Sequence, residues 1–402
     1  MKILREKFKY FDYYLFVPYF LLCIIGIIMV YSASSITILY SAIQSPDSYM
    51  LKQLLFTIIG IIALLISSHL KQRIWANSFF LKCGYIGMVT LLVVVLAIGK
   101  QINGARGWLN LGFFSLQPSE VCKLYLAIYT AHLCATKQRN QLNMLDQHDL
   151  TLKDLRPYAA IAFLLGLVLV APDTGGFLIN FMIVFMIFLA SSKSKVKMVG
   201  CLVSIPVIYV ALLAFLKRFN PFSILPGYSY AYSRIQSYFD PFKYVTETGK
   251  QVVNSYYAIS NGGLLGVGLG NSIQKRGYLP EAHTDFILAI IAEELGVVGV
   301  FVVLFLLCWL IMRIFLIGIR SKNSFNALFC YGIGTFFLVE TLLNVGGVCG
   351  LLPITGVTLP FISYGGSSML VLSTALGLVL GISVKQKRHM EIDVLEKKKK
   401  LS

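Results

Sequence analysis

The 402-residue chain is poor in charge: 13% of its residues are charged and 57% are hydrophobic, with a mean hydropathy of +0.75. That balance excludes an ordinary soluble globular domain and fits a polytopic membrane protein. Histidine is scarce and scattered, and neither an HExxH run nor a clustered Cys/His signature occurs, so spacing reveals no metal site. The eight cysteines lack paired spacing. Seven (Cys23, Cys83, Cys122, Cys134, Cys201, Cys308 and Cys330) fall in or beside apolar runs as core residues, and Cys349 lies near the outer face. No short-period repeat or mirrored half is visible, which weakens the case for a transporter built from inverted repeats. The glycine-rich "GGLLGVGLGN" follows no strand and opens no dinucleotide-binding unit.

What the chain does have is a series of long apolar runs. They fall at about 14–34, 52–68, 79–99, 115–135, 157–172, 174–191, 198–216, 285–312, 324–346 and 360–383, each near the roughly 17–25 residues that cross a bilayer. The expected fold is an all-α integral membrane protein of about ten transmembrane helices, the fifth and sixth short and joined by "APDTGG". "YSASS" faintly resembles a signal-peptidase site, but the preceding apolar run is long for a cleaved signal, so the first helix is read as uncleaved.

The net charge of +17 raises the possibility of nucleic acid, and the distribution of the charge argues against it. With the N-terminus inside, 24 of the 35 lysines and arginines face the cytoplasm, the positive-inside pattern, so both termini are expected there. Residues 1–13 form a cytoplasmic N-terminus, 14–384 a single membrane domain and 385–402 a basic tail. The terminal "EKKKK" reads as a solvated tail near anionic lipid, with no nucleic-acid partner. Residues 217–284, between the seventh and eighth spans, form a large extracytoplasmic loop, a length usually associated with function.

Four polar constellations interrupt this pattern. In "NGARGWLNLGFFSLQPSEVCK", Arg106 and Trp108 lie in a short outer loop and Glu120 begins the fourth span, where it can cap the helix and meet the positive end of its dipole. Lys123 lies a turn inside the membrane and needs a partner, either Glu120 or a carboxylate from another helix. In "APDTGG", Asp173 is a candidate cap of the sixth helix. In "YLPEAHTDFILAIIAEELG", Thr284 is a candidate N-cap and Asp285 the first helical residue. Glu293 and Glu294, about two turns deeper, need separate interior partners or water, and Gly296 and Gly299 permit close helix packing. In "NVGGVCGLLPITGVTLPFISYGGSS", prolines and glycines break the membrane pattern, while Ser363, Ser367 and Ser368 offer donors suited to phosphate at a helix start.

Taken in order, "QPSE", "PDTGG", "LPEAHTDFI", "EELG", "LPITG" and "LPFISYGGSS" resemble the SEDS family (shape, elongation, division and sporulation) of bacterial peptidoglycan polymerases, over about residues 12–385 and more closely its cell-division branch. The resemblance implies a membrane glycosyltransferase that joins lipid II into β-1,4-linked glycan outside the cytoplasm and releases undecaprenyl pyrophosphate, with Asp285 as the catalytic base. It implies charge neutralisation of the diphosphate by Arg106, Lys275, Arg276 or a divalent cation, Mg or Mn. Lys123 is then expected to hold Asp285 ionised, with His283 shaping the approach. Trp108 either lines the substrate path or belongs to the interfacial belt. Where the family usually carries glutamine, this chain has Glu340, whose partner is open. A class B penicillin-binding protein and other division proteins are the implied partners. A lipid flippase and a non-catalytic division scaffold are the competing readings.

Overall fold

A computed structural model describes residues 9–34, 48–102, 105–110, 112, 115–143, 152–192, 195–219, 229–246 and 249–401. The first eight residues of the expected cytoplasmic N-terminus, and parts of the large loop, lie outside the described residues. Among the described residues, ten long helices follow the ten apolar runs: α1 Tyr13–Ser34, α2 Ser48–His69, α4 Ser78–Ile98, α5 Pro118–Asn143, α6 Leu152–Val170, α7 Thr174–Ser191, α8 Lys195–Arg218, α11 Ile287–Ile319, α12 Ser324–Val348 and α13 Gly366–Leu401. A short α3, Gln72–Trp75, precedes α4, while α9, Ser229–Phe239, and α10, Lys250–Gly262, lie in the large loop.

Among the described residues, α1, α2, α4, α7, α11, α12 and α13 are long and apolar enough to cross a bilayer, and α6 carries a shorter apolar stretch from Leu155 to Val170. The remaining two match the sequence expectation in place but carry more charge. α5 holds Glu120 and Lys123, and α8 begins and ends in basic residues. Within this all-α architecture, a small antiparallel sheet, β1 Lys100–Ile102, β2 Ala105–Asn110 and β3 Ser115–Leu116, fills the connection between α4 and α5.

The central helices are α12 and α13, with 72% and 83% of their apolar stretches buried, against 22% for the peripheral α4. α12 packs on α5, α7 and α11, and α11 also packs on α1 and α10. α13 lies along α2, where small residues permit close approach: a Cβ on Gly377 would fall 2.3 Å from the Leu64 carbonyl oxygen. At one end of the bundle, buried Asp12, just ahead of α1, joins three helices, 2.8 Å from Arg313 Nη2 on α11 and 3.3 Å from Lys387 Nζ on α13.

The large loop is anchored into the membrane domain where α11 is broken. Gly296 has φ +68° and ψ −169°, so two helical segments meet there at a kink. The loop backbone fills the break: Val267 N donates to Glu293 O and Gly268 N to Glu294 O, both at 3.0 Å, while Val297 N donates to Gly263 O at 3.1 Å. Backbone that leaves the helical pattern at membrane depth is thus satisfied by other protein backbone. A Cβ on Gly296 would fall 2.4 Å from Leu264 O, so the expected helix–helix role of this glycine is replaced by helix–loop contact.

Candidate active site

Asp285 lies in a run of turns and stands two residues ahead of α11, so it is not the first helical residue. Thr284 does not cap the helix. Its hydroxyl donates to Glu281 Oε2 at 2.6 Å, while Phe286 occupies the cap position without a side-chain bond. Glu281, with φ +57°, makes the tight turn that places the acid.

Three donors fix the backbone around Asp285. Asn344 Nδ2 on α12 donates to the carbonyl oxygens of Asp285 and Val357, each at 2.8 Å. Ser363 Oγ donates to Thr284 O at 2.7 Å and accepts from Leu359 N at 2.8 Å. Tyr364 N donates to His283 O at 2.9 Å. The "HTD" turn and the 354–364 segment therefore form one stitched unit, which satisfies the irregular backbone of both.

The Asp285 side chain faces a cavity of about 10 Å³ lined by Phe286, Leu343, Asn344, Gly347 and residues 354–357. Gly356, at φ +73°, leaves room beside it. A Cβ there would lie 3.4 Å from Asp285 Oδ2 and 3.2 Å from Arg234 Nη1. Arg234 comes from α9 and donates from Nη1 to Ile354 O at 3.3 Å. Burial pushes the Asp285 carboxyl up to about 6, with Arg234 opposing that rise and Glu281 adding to it. His283 packs its ring 4.8 Å from Tyr49 and 5.8 Å from Tyr364, and burial holds its imidazole below the usual value.

The expected Lys123–Asp285 pair is not formed. Lys123 Nζ lies 2.6 Å from Glu120 Oε1 and 3.8 Å from Glu340 Oε2, under the Phe336 ring at 5.1 Å. Spacing of three residues on α5 places Glu120 beside the ammonium, and α12 supplies the second carboxylate. Glu120 is thus an ion-pair partner as well as a first-turn acid. Glu340 accepts from Thr358 Oγ1 at 3.2 Å, and Thr358 meets Ser368 Oγ at 3.1 Å, which answers the open question of its partner.

Other assignments change in the same way. Lys275, expected to face the diphosphate, is buried, 2.7 Å from Glu294 Oε1 and 2.9 Å from Ser32 Oγ. Ser363 is used as a backbone stitch and Ser368 in the Glu340 network, and Ser367 is buried beside them in the first turn of α13, so none of the three is an exposed phosphate donor. Glu293 and Glu294 do have separate partners, as the sequence predicts. Glu293 accepts from Asn261 Nδ2 at 2.9 Å, Ile273 N at 3.0 Å, Gln274 N at 3.2 Å and the Ser272 hydroxyl. Asp173 caps α7 through Gly176 N at 2.8 Å and also accepts from Ser119 Oγ at 2.6 Å and Gln117 Nε2 at 3.1 Å. Arg276 is exposed, Trp108 is half-buried on β2, and the Arg106 side chain lies outside the described residues.

Sequence reasoning missed Arg234, Asn344 and Thr358 as parts of the site. The available signals were a lone arginine inside the aromatic helix "SYAYSRIQSYF" and an asparagine four residues after an intramembrane acid. Neither signal names its partner, because the partners are distant in the chain.

Comparison with known proteins agrees with this architecture. Residues 13–388 match the FtsW/RodA/SpoVE family model, described as cell cycle protein. The chain is 37% identical over 383 residues to the probable peptidoglycan glycosyltransferase FtsW of Bacillus subtilis strain 168, covering 95% of this chain and 93% of that protein. It is 35% identical over 396 residues to the protein of the same name from Enterococcus hirae, covering 96% of each. Among solved structures, a chain from a peptidoglycan synthase complex coordinating polymerisation and crosslinking superimposes with a TM-score of 0.68 at 24% identity, covering 94% of this chain and 98% of that one. The rod shape determining protein RodA of Thermus thermophilus has a TM-score of 0.63 at 23% identity, with 94% and 97% coverage, and shares the fold. With a family match over nearly its whole length and relatives above one-third identity, this multi-pass membrane chain belongs to the FtsW/RodA/SpoVE family.

Proposed function

We propose that the chain is a peptidoglycan glycosyltransferase of cell division, in which Asp285 acts as general base on the extracytoplasmic side. The observation that carries the reading is a backbone-fixed carboxylate with a raised pKa in a pocket at the mouth of the membrane domain. In the reaction, Asp285 takes the proton from the acceptor sugar's 4-hydroxyl in lipid II. That oxygen forms a bond to the donor's anomeric carbon as the bond from that carbon to the diphosphate oxygen breaks. Inversion gives the β-1,4 link, and the undecaprenyl pyrophosphate leaves as an anion. A diphosphate leaving group lessens the need for the general acid of an inverting glycosidase.

The pocket of about 10 Å³ has room for about one water, not a sugar. Exposed Arg276 is a candidate to meet the diphosphate, a role that buried Lys275 cannot fill. Among the described residues no group of three or more His, Cys, Asp or Glu could hold a metal, and the charged group closest to Asp285 across Gly356 is a guanidinium. Among the described residues, those beside Asp285 form no preformed divalent-cation site. A crosslinking class B penicillin-binding protein is the proposed partner, within a set of division membrane proteins.

The test is reconstitution of the purified protein with that partner in lipid containing lipid II. Polymeric glycan is expected. Transfer of lipid II across the bilayer without polymer would favour the flippase reading, and neither activity would favour the scaffold.

A further inference from the structure

The mechanism above leaves Arg234 without a function, although it brings positive charge from the outer loop directly to the acid. Its Nη1 lies 3.3 Å from Ile354 O, and both its guanidinium and Asp285 Oδ2 rest against the bare face of Gly356. Ile354 and Gly356 belong to the same segment whose Val357 carbonyl shares Asn344 with Asp285, so Arg234 is tied to the unit that holds the acid. α9 is fastened there a second time, because Tyr238 OH donates to Leu351 O at 3.2 Å.

We propose that Arg234 is a positioning residue for the reaction at Asp285, its guanidinium holding the carboxylate beside Gly356 and aimed into the pocket from the outer-loop helix α9. This rests on the reading of Asp285 as the base. Each element packed against the acid has a defined charge. α9 contributes Arg234, the 281–286 turn contributes Glu281 and His283, α12 contributes neutral Asn344, and residues 354–357 contribute no titratable side chain. Glu340, one turn before Asn344, is engaged with Lys123 and Thr358. Arg234 and Glu281 thus act on the acid in opposite directions.

The experiment is the pH dependence of kcat/KM for polymerisation of lipid II by wild type, Arg234→Gln, Arg234→Lys and Glu281→Gln, each checked for an intact thermal transition. The acidic limb of such a profile reports the free enzyme's base. Arg234→Gln is expected to move the limb upward by about one pH unit or more, as loss of a neighbouring opposite charge does. Arg234→Lys keeps the charge and should return the limb toward wild type, and Glu281→Gln should move it downward. If Arg234→Gln does not fold, the downward move in Glu281→Gln carries the test. Limbs unchanged from wild type, or moved in the same direction by Arg234→Gln and Glu281→Gln, overturn the inference. A wild type that makes no polymer overturns the underlying reading of Asp285 instead.

Discussion

Asn344 Nδ2 stands 2.8 Å from the carbonyl oxygen of Asp285, and the same amide nitrogen stands 2.8 Å from that of Val357. One side chain on the central helix α12 therefore sets the backbone of the acid and of the segment opposite it. Replacing Asn344 by Leu leaves the buried Val357 carbonyl and the part-buried Asp285 carbonyl without this donor, at a cost of about 1–3 kcal/mol for the buried one. Thermal unfolding in detergent should show the loss. A larger fall in polymerisation than in stability would show that placement of Asp285, and not folding alone, depends on Asn344.

The raised Asp285 pKa has two consequences of opposite sign. As a base it must be ionised, so activity should rise through about pH 6. For stability the folded value exceeds the unfolded one, so deprotonation is less favourable in the folded state and stability falls as pH rises from about 4 to about 6. Asp285→Asn should therefore be more stable than wild type at neutral pH, by about 1–3 kcal/mol, while its stability varies less over that interval. Melting temperatures at pH 4 and pH 7 check this.

Lys123 is held between two buried carboxylates on α5 and α12. Lys123→Met leaves both without their cation and should destabilise by roughly 3–5 kcal/mol. Glu340→Gln should be neutral or stabilising, because one ammonium then faces one carboxylate and an acceptor for Thr358 is kept. Chemical or thermal unfolding of the two variants side by side checks the contrast.

The ten helical positions were legible because long apolar runs have one stable solution in lipid, although α5, α11 and α13 continue past their apolar runs, to Asn143, Ile319 and Leu401. The acids were legible as expensive groups needing partners. Their partners were not, because pairing depends on which faces of distant helices meet: Lys123 lies 217 positions before Glu340 and 162 before Asp285, and nothing local chooses between them. The break in α11 was hidden for a similar reason. Gly296 looks like a packing glycine until the 262–268 loop is seen occupying the gap.

That loop insertion gives its own test. Gly296→Ala places a side chain at φ +68° and within 2.4 Å of Gly266 N and Leu264 O. The loop must move away, with an expected loss of about 2 kcal/mol or more and faster proteolysis within residues 262–270.

The central claim is that Asp285 performs the chemistry. Its most direct test is the initial rate of glycan polymer formation from lipid II at pH 7.5, comparing wild type with Asp285→Asn in the same reconstituted membranes with the same partner. Removal of a general base is expected to lower the rate by about 10²–10⁴-fold in a protein that remains folded. Asp285→Asn polymerising at the wild-type rate would contradict the account.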